Sequence, residues 1–138
     1  MSDHVLRLHH VGIIVRDREA SVAWYRDHFG FERQYDFAFR GAQATMVVRG
    51  DARLEFFQVE GATPMASERQ EIETNLRIGG INHLALPVDD LDEAVAALAA
   101  KGVEIASAPA DVPNGSGDRY AFIRDNERML VELFQPAA

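Results

Sequence analysis

A chain of 138 residues fits one domain with a single core, and the absence of cysteine excludes disulfides, thiolate nucleophiles and iron–sulfur ligation, so any metal must be held by His, Asp or Glu. Its 14 Lys and Arg against 22 Asp and Glu give a formal charge of −8 with the positive residues scattered, a poor match to nucleic acid or an anionic membrane. The N-terminus lacks a signal-like region and no apolar run approaches the roughly 20 residues of a membrane span, so the expectation is a soluble, cytoplasmic protein.

In chain order, residues 8–15 form a β-branched apolar run of strand length. Asp17 then has the character of a helix N-cap; Val22, Tyr25 and Phe29 share one helical face, and Gly30 is a natural C-cap. Strands are predicted over 31–40 and 42–50, with RGDAR as the turn into a third over 54–59. Residues 61–80 are polar, have Gly or Pro near both ends, and read as a connector with room for a short helix. The order then restarts: a strand over 81–88, a helix capped by Asp89 or Asp90 and ending at Gly102, and strands over 103–107, 118–124 and 129–135. Residues 110–118 read as a Gly-rich loop with the character of a mobile lid.

The restart is an internal repeat. His10, Val15, Asp17 and Val22 recur as His83, Val88, Asp90 and Val95 at a constant offset of 73, and LEFFQ (54–58) is echoed by VELFQ (131–135). Two modules, about 6–60 and 81–136, are therefore expected to share one single-domain fold. Each has a histidine in its first strand and a glutamate in its last, 45 residues on in the first (10 to 55) and 49 in the second (83 to 132).

Strand alternation sorts these residues by face, since a one-residue slip would reverse every assignment. His10, Gly12 and Ile14 fall on one face and Val11, Ile13 and Val15 on the other; His83, Ala85 and Pro87 oppose Leu84, Leu86 and Val88 in the same way. The aliphatic face suits burial under the helix, whereas small residues leave space in front of each histidine. His9 aligns with Asn82 and falls on the other face from His10. Glu55 between Leu54 and Phe56, and Glu132 between Val131 and Leu133, point away from the aliphatic layer. A lone strand histidine or glutamate is ordinarily a surface or hydrogen-bonded group; both recurring in both modules points instead to His10, Glu55, His83 and Glu132 as a four-ligand metal site. Phe57, Phe134, Phe37, Phe39, Met46, Arg119 and Phe122 are candidates for the cavity wall, with Arg119 as an anion grip. His4 and His28 read as solvated, and Trp24 and Tyr25 as core or interface.

HHVGIIVRD…WYRDHFGFE and INHLALPVDDLDEA…KGVEI, with LEFFQ and VELFQP closing the modules, resemble the vicinal oxygen chelate superfamily, which includes glyoxalase I, methylmalonyl-CoA epimerase, extradiol dioxygenases and the fosfomycin- and bleomycin-resistance proteins. The resemblance implies an α+β fold of two βαβββ modules forming a curved mixed sheet around a metal site, commonly a homodimer. It implies His10, Glu55, His83 and Glu132 as ligands of a divalent ion (Ni, Co, Zn, Mn or Mg), with Glu132 as first choice for the base and Glu55 as its partner. The implied chemistry is that of a lyase or isomerase moving a proton next to a carbonyl, through a metal-bound enediolate, on a small oxygenated substrate. Ile14 and Val59 stand where bacterial glyoxalase I has an arginine and an asparagine that grip glutathione; the first module looks closer to the epimerases, which usually have glutamine at the Glu55 position. The alternative from another class is a metal-free drug-sequestering protein; a ring-cleaving dioxygenase, with no use for Glu55, is the lesser alternative.

Overall fold

A computed structural model describes residue 4 and residues 6–138, which divide into two compact units, Met1–Pro64 and Met65–Ala138. In the first, β1 (Val11–Ile14) leads to α1 (Arg18–Phe29), then β2 (Glu32–Phe39), β3 (Ala42–Arg49) and β4 (Ala52–Gln58). After a 3₁₀ turn at Ser67–Gln70 and the one-turn helix α2 (Ile72–Asn75), the second repeats the order with β5 (Leu84–Pro87), α3 (Leu91–Ala100), β6 (Ile105–Asp111), β7 (Arg119–Arg124) and β8 (Leu130–Gln135). The fold is α+β, with two four-stranded mixed sheets in orders β1-β4-β3-β2 and β5-β8-β7-β6. In each, the first strand pairs parallel with the last, and the remaining pairs are antiparallel.

The helices begin and end where their caps dictate. Asp17 accepts from the Ala20 N–H and Asp90 from the Glu93 N–H, each at 3.0 Å, so Asp90 rather than Asp89 is the second cap. Gln58 accepts from the Arg18 N–H and Gln135 from the Leu91 N–H, both at 2.7 Å, satisfying a second exposed helix-start donor from the end of the last strand. Gly30 ends α1 at φ 71°, a left-handed conformation that costs glycine little. Burial alternates along β1 and β5, and one side of each sheet is packed under its helix. Fully buried Tyr25 meets Phe56 at 5.3 Å and Phe31 at 6.0 Å between ring centroids; Val47 and Leu54 complete that layer, and Leu91, Ile123, Val131 and Leu133 form its counterpart. Each such side chain contributes roughly 1.5–3 kcal/mol by leaving water.

Three local expectations are corrected. β6 runs on through Ala110 and Asp111, which pair with Tyr120 and Arg119, so the loop expected over 110–118 starts later and is laced by the Val112 N–H bond to the Asp118 carbonyl at 2.9 Å. Residues 8–10 lie outside β1, because parallel pairing with β4 begins at Val11↔Leu54. His28 is half-buried against Trp24, 4.8 Å between ring centroids, instead of solvated.

Candidate functional site

The face of each sheet away from its helix is built by cross-strand pairing. In the first unit Gly12 pairs with Glu55, Glu55 with Met46, and Met46 with Tyr35. In the second, Ala85 pairs with Glu132, Glu132 with Phe122, and Phe122 with Ser107. Both glutamates thus sit at the centre of their sheet, opposite the smallest residue of the edge strand. A Cβ at Gly12 would lie 3.7 Å from Glu55 Oε1 and 3.6 Å from the Phe57 ring, so the missing side chain is what opens the space before the carboxylate.

Each glutamate faces its histidine. His10 Nε2 lies 3.5 Å from Glu55 Oε1, and His83 Nε2 lies 3.6 Å from Glu132 Oε1. Both separations exceed a good N–H···O hydrogen bond. They lie close to the ~3.4 Å edge between two ligands of a tetrahedral ion with bonds of about 2.1 Å. Imidazole Nε2 and carboxylate are suitable donors for such an ion, so each pair offers two adjacent donor atoms. Among the described residues no three His, Asp or Glu side chains gather into one potential metal site. The other imidazole nitrogen is held by the preceding residue in each case: His9 Nδ1 lies 3.0 Å from His10 Nδ1, and Asn82 Oδ1 lies 2.6 Å from His83 Nδ1.

Aromatic side chains share the face of each pair. Phe37 and Phe39 lie 6.2 and 6.3 Å from Phe57, and Phe122 stands edge-on to His83 at 4.9 Å. Met46, on the glutamate face, is buried.

Arg119 is elsewhere. It pairs with Gln135, whose side chain caps α3, and shares the helix-facing side with Ala121 and Ile123. Its guanidinium donates twice to Asp92, at 3.0 and 3.1 Å, which raises its own affinity for the proton and holds the Asp92 carboxyl below its ordinary range. The expectation of Arg119 as an anion grip on the cavity side is therefore corrected: charge nominated it, and strand parity places it on the other face.

Residues that sequence reasoning missed lie in the connector. Asn75, 1% exposed, exchanges hydrogen bonds with Asn82, its Nδ2 donating to the Asn82 carbonyl (2.9 Å) and Asn82 Nδ2 donating to the Asn75 carbonyl (3.1 Å). Arg69 donates to Asn75 Oδ1 and to the carbonyls of Gly79 and Ile81 at 3.1–3.3 Å. The doublet of one buried amide and one amide before the histidine that leads into β5 has no periodicity by which to find it.

Residues 7–133 match the model of the Glyoxalase/Bleomycin resistance protein/Dioxygenase superfamily, and the chain belongs to that family. YwkD of Bacillus subtilis (strain 168) is 30% identical over 131 residues, covering 93% of this chain and 95% of that protein; YaeR of Escherichia coli (strain K12) is 30% identical over 132 residues, covering 94% and 95%. Among solved structures, a glyoxylase/bleomycin resistance protein/dioxygenase domain from Frankia sp. EAN1pec superposes with a TM-score of 0.76 at 19% identity, covering 96% of this chain and 93% of that one. Leishmania major glyoxalase I, described as trypanothione-dependent, gives 0.70 at 22% (95% and 87%), and TnmS3, an antibiotic-binding protein from Streptomyces sp. CB03234, gives 0.71 at 20% (96% and 98%).

Proposed function

We propose that this protein is a divalent-metal-dependent lyase or isomerase that moves a proton next to a carbonyl on a small oxygenated substrate. The observation that carries the reading is the repeated facing of His Nε2 and Glu Oε1, at 3.5 and 3.6 Å, too far for good hydrogen bonds and close to the spacing of two ligands on one ion. The proposed ligands are His10 and Glu55 in the first unit and His83 and Glu132 in the second. Ni, Co, Zn, Mn and Mg are the candidate ions, and when bound the ion supplies Lewis acidity to two adjacent substrate oxygens.

The protein's own residues handle the proton. The Glu132 carboxylate takes it from the carbon beside the carbonyl, the C–H electron pair moves into a new C=C bond, and the carbonyl oxygen gains the charge. Return of the proton to the neighbouring carbon gives an isomerised product, and return to the opposite face gives an epimer; Glu55 is the second carboxylate available for that step. Gly12 and Ala85 leave room beside the two carboxylates, while Phe57 and Phe122 add apolar wall on the same faces. Ile14 and Val59, both exposed, offer no charged grip for a glutathione carboxylate, which favours other thioesters or small 2-oxo compounds.

The test is stoichiometric and chemical. Reconstituted protein is expected to bind one divalent ion per chain and to catalyse deuterium exchange from solvent into 2-oxo aldehyde–thiol adducts or 2-methyl acyl thioesters. No bound ion after reconstitution with Ni, Co, Zn or Mn would sink the reading.

One observation favours sequestration instead. Tyr35, Phe37, Phe39 and Phe57 form an aromatic row with Tyr35 and Phe39 exposed, a surface suited to stacking a planar molecule. Ligand binding that survives His10→Ala and Glu132→Gln unchanged, without exchange activity, would select this second reading.

A further inference from the structure

The connector and the second histidine are joined by a chain of hydrogen bonds whose polarity is fixed at every link. Asn82 Nδ2 has only donors to offer and gives one to the Asn75 carbonyl at 3.1 Å, so the Asn82 amide has its oxygen turned to His83. That oxygen can only accept. At 2.6 Å from His83 Nδ1 it requires the proton to be on Nδ1, and a neutral imidazole has one N–H, which leaves Nε2 with a free lone pair. Nε2 is the atom facing Glu132 at 3.6 Å, a separation too long for the N–H···O bond that the other tautomer would make.

We propose that Asn82, held by buried Asn75, is a positioning residue that locks His83 in the Nδ1–H tautomer with Nε2 presented as a ligand. The connector is then part of the site: Arg69 clamps the Asn75 side-chain oxygen and the carbonyls of Gly79 and Ile81, fixing the approach to β5. The first module lacks this device. His10 Nδ1 meets His9 Nδ1 at 3.0 Å, and a neutral ring nitrogen can either give or accept, so no tautomer is imposed there. The two halves of the repeat are thus unequal: the second is preset and the first adapts.

The presentation of Nε2 to an ion rests on the metal reading, but the lock itself is measurable without any ion. Long-range proton–nitrogen correlation spectra of the metal-free, ¹⁵N-labelled protein at about pH 8 report the tautomer directly. His83 is expected as Nδ1–H. In Asn82→Ala it is expected to move toward the Nε2–H form that aqueous histidine favours, with His10 unchanged, and Co²⁺ affinity is expected to fall roughly 10–100-fold. Asn75→Ala keeps the backbone carbonyl to which the Asn82 amide donates, and is expected to leave His83 as Nδ1–H. Wild-type His83 as Nε2–H overturns the proposal with no variant needed, and so does an unchanged tautomer in a folded Asn82→Ala. A tautomer shift in a protein that binds no Co²⁺ upholds the lock and removes the metal reading.

Discussion

Glu132 and Glu55 hold equivalent register positions, yet their neighbours differ. Glu132 is flanked across the strands by Ala85 and Phe122, and Glu55 by Gly12 and Met46. An aromatic residue paired with one glutamate and a flexible thioether paired with the other give the two unequal surroundings, and under the proposed function the base is Glu132. Glu132→Gln keeps a neutral oxygen donor of the same length. It is expected to hold the ion within about tenfold of wild-type affinity while solvent exchange falls by about 10²–10⁴-fold, the usual worth of a positioned base. Equal losses in both measurements would make Glu132 a ligand alone. Arg119→Ala is expected to leave exchange unchanged, because its guanidinium is bonded to Asp92 on the helix side.

Among the elements, the strand that carries each glutamate also starts a helix. Gln58 lies three residues past Glu55 and Gln135 three past Glu132, so each glutamine projects to the opposite face and reaches the first turn of α1 or α3. Gln58→Ala or Gln135→Ala leaves a helix-start N–H without this partner and is expected to cost about 1 kcal/mol, a fall of roughly 4 °C in Tm by calorimetry. A melting temperature unchanged in both variants would show that water replaces the cap. At the other side of the first sheet, Thr45 donates to Asp36 at 2.7 Å and Arg33 donates at 2.6 Å, and these bonds hold the Asp36 carboxyl below its ordinary range. Its contribution to stability is therefore present above the unfolded value near pH 4 and is lost as pH falls through the lower native value. Asp36→Asn is expected to be less stable at neutral pH and to lose less on acidification, a difference readable from melts between about pH 2 and 7. Parallel curves would contradict it.

How far these elements were legible follows from what each depends on. Caps, turns and alternation are local, so the order of strands, the two helices and the face of Glu55 and Glu132 could be read from the chain, whereas His10 and His83 precede β1 and β5. Arg119 is the exception: its charge suggests an anion grip, while its parity with Ala121 and Ile123 puts it on the helix side. Asn75 was invisible for a different reason: its importance comes from a contact with Asn82 across a polar segment that has no apolar period, and only the folded backbone brings the two amides together.

For the whole molecule, Leu6, Leu8, Ile81 and Leu76 lie between 68% and 83% exposed in the single chain. These large apolar side chains stand at the approach to β1, at the approach to β5 and in the connector, and the expectation is a homodimer that covers some of them. Light scattering after size exclusion should give twice the 15.4 kDa chain mass. A monomer at micromolar concentration would oppose this reading and leave those side chains to another partner.

The parallel pairing of first strand with last has a consequence for the order in which the protein comes together. The β2–β3–β4 hairpins link residues close in sequence, whereas Gly12↔Glu55 closes a loop of more than forty residues, as does Ala85↔Glu132. Neither histidine can meet its glutamate until its module has shut. On the proposed metal reading, a chain caught before that point has its candidate donors scattered, and ion capture is reserved for finished modules. A bound ion would act as a latch on each module's contact of highest sequence separation, slowing the reopening of the fold more than it hastens its formation.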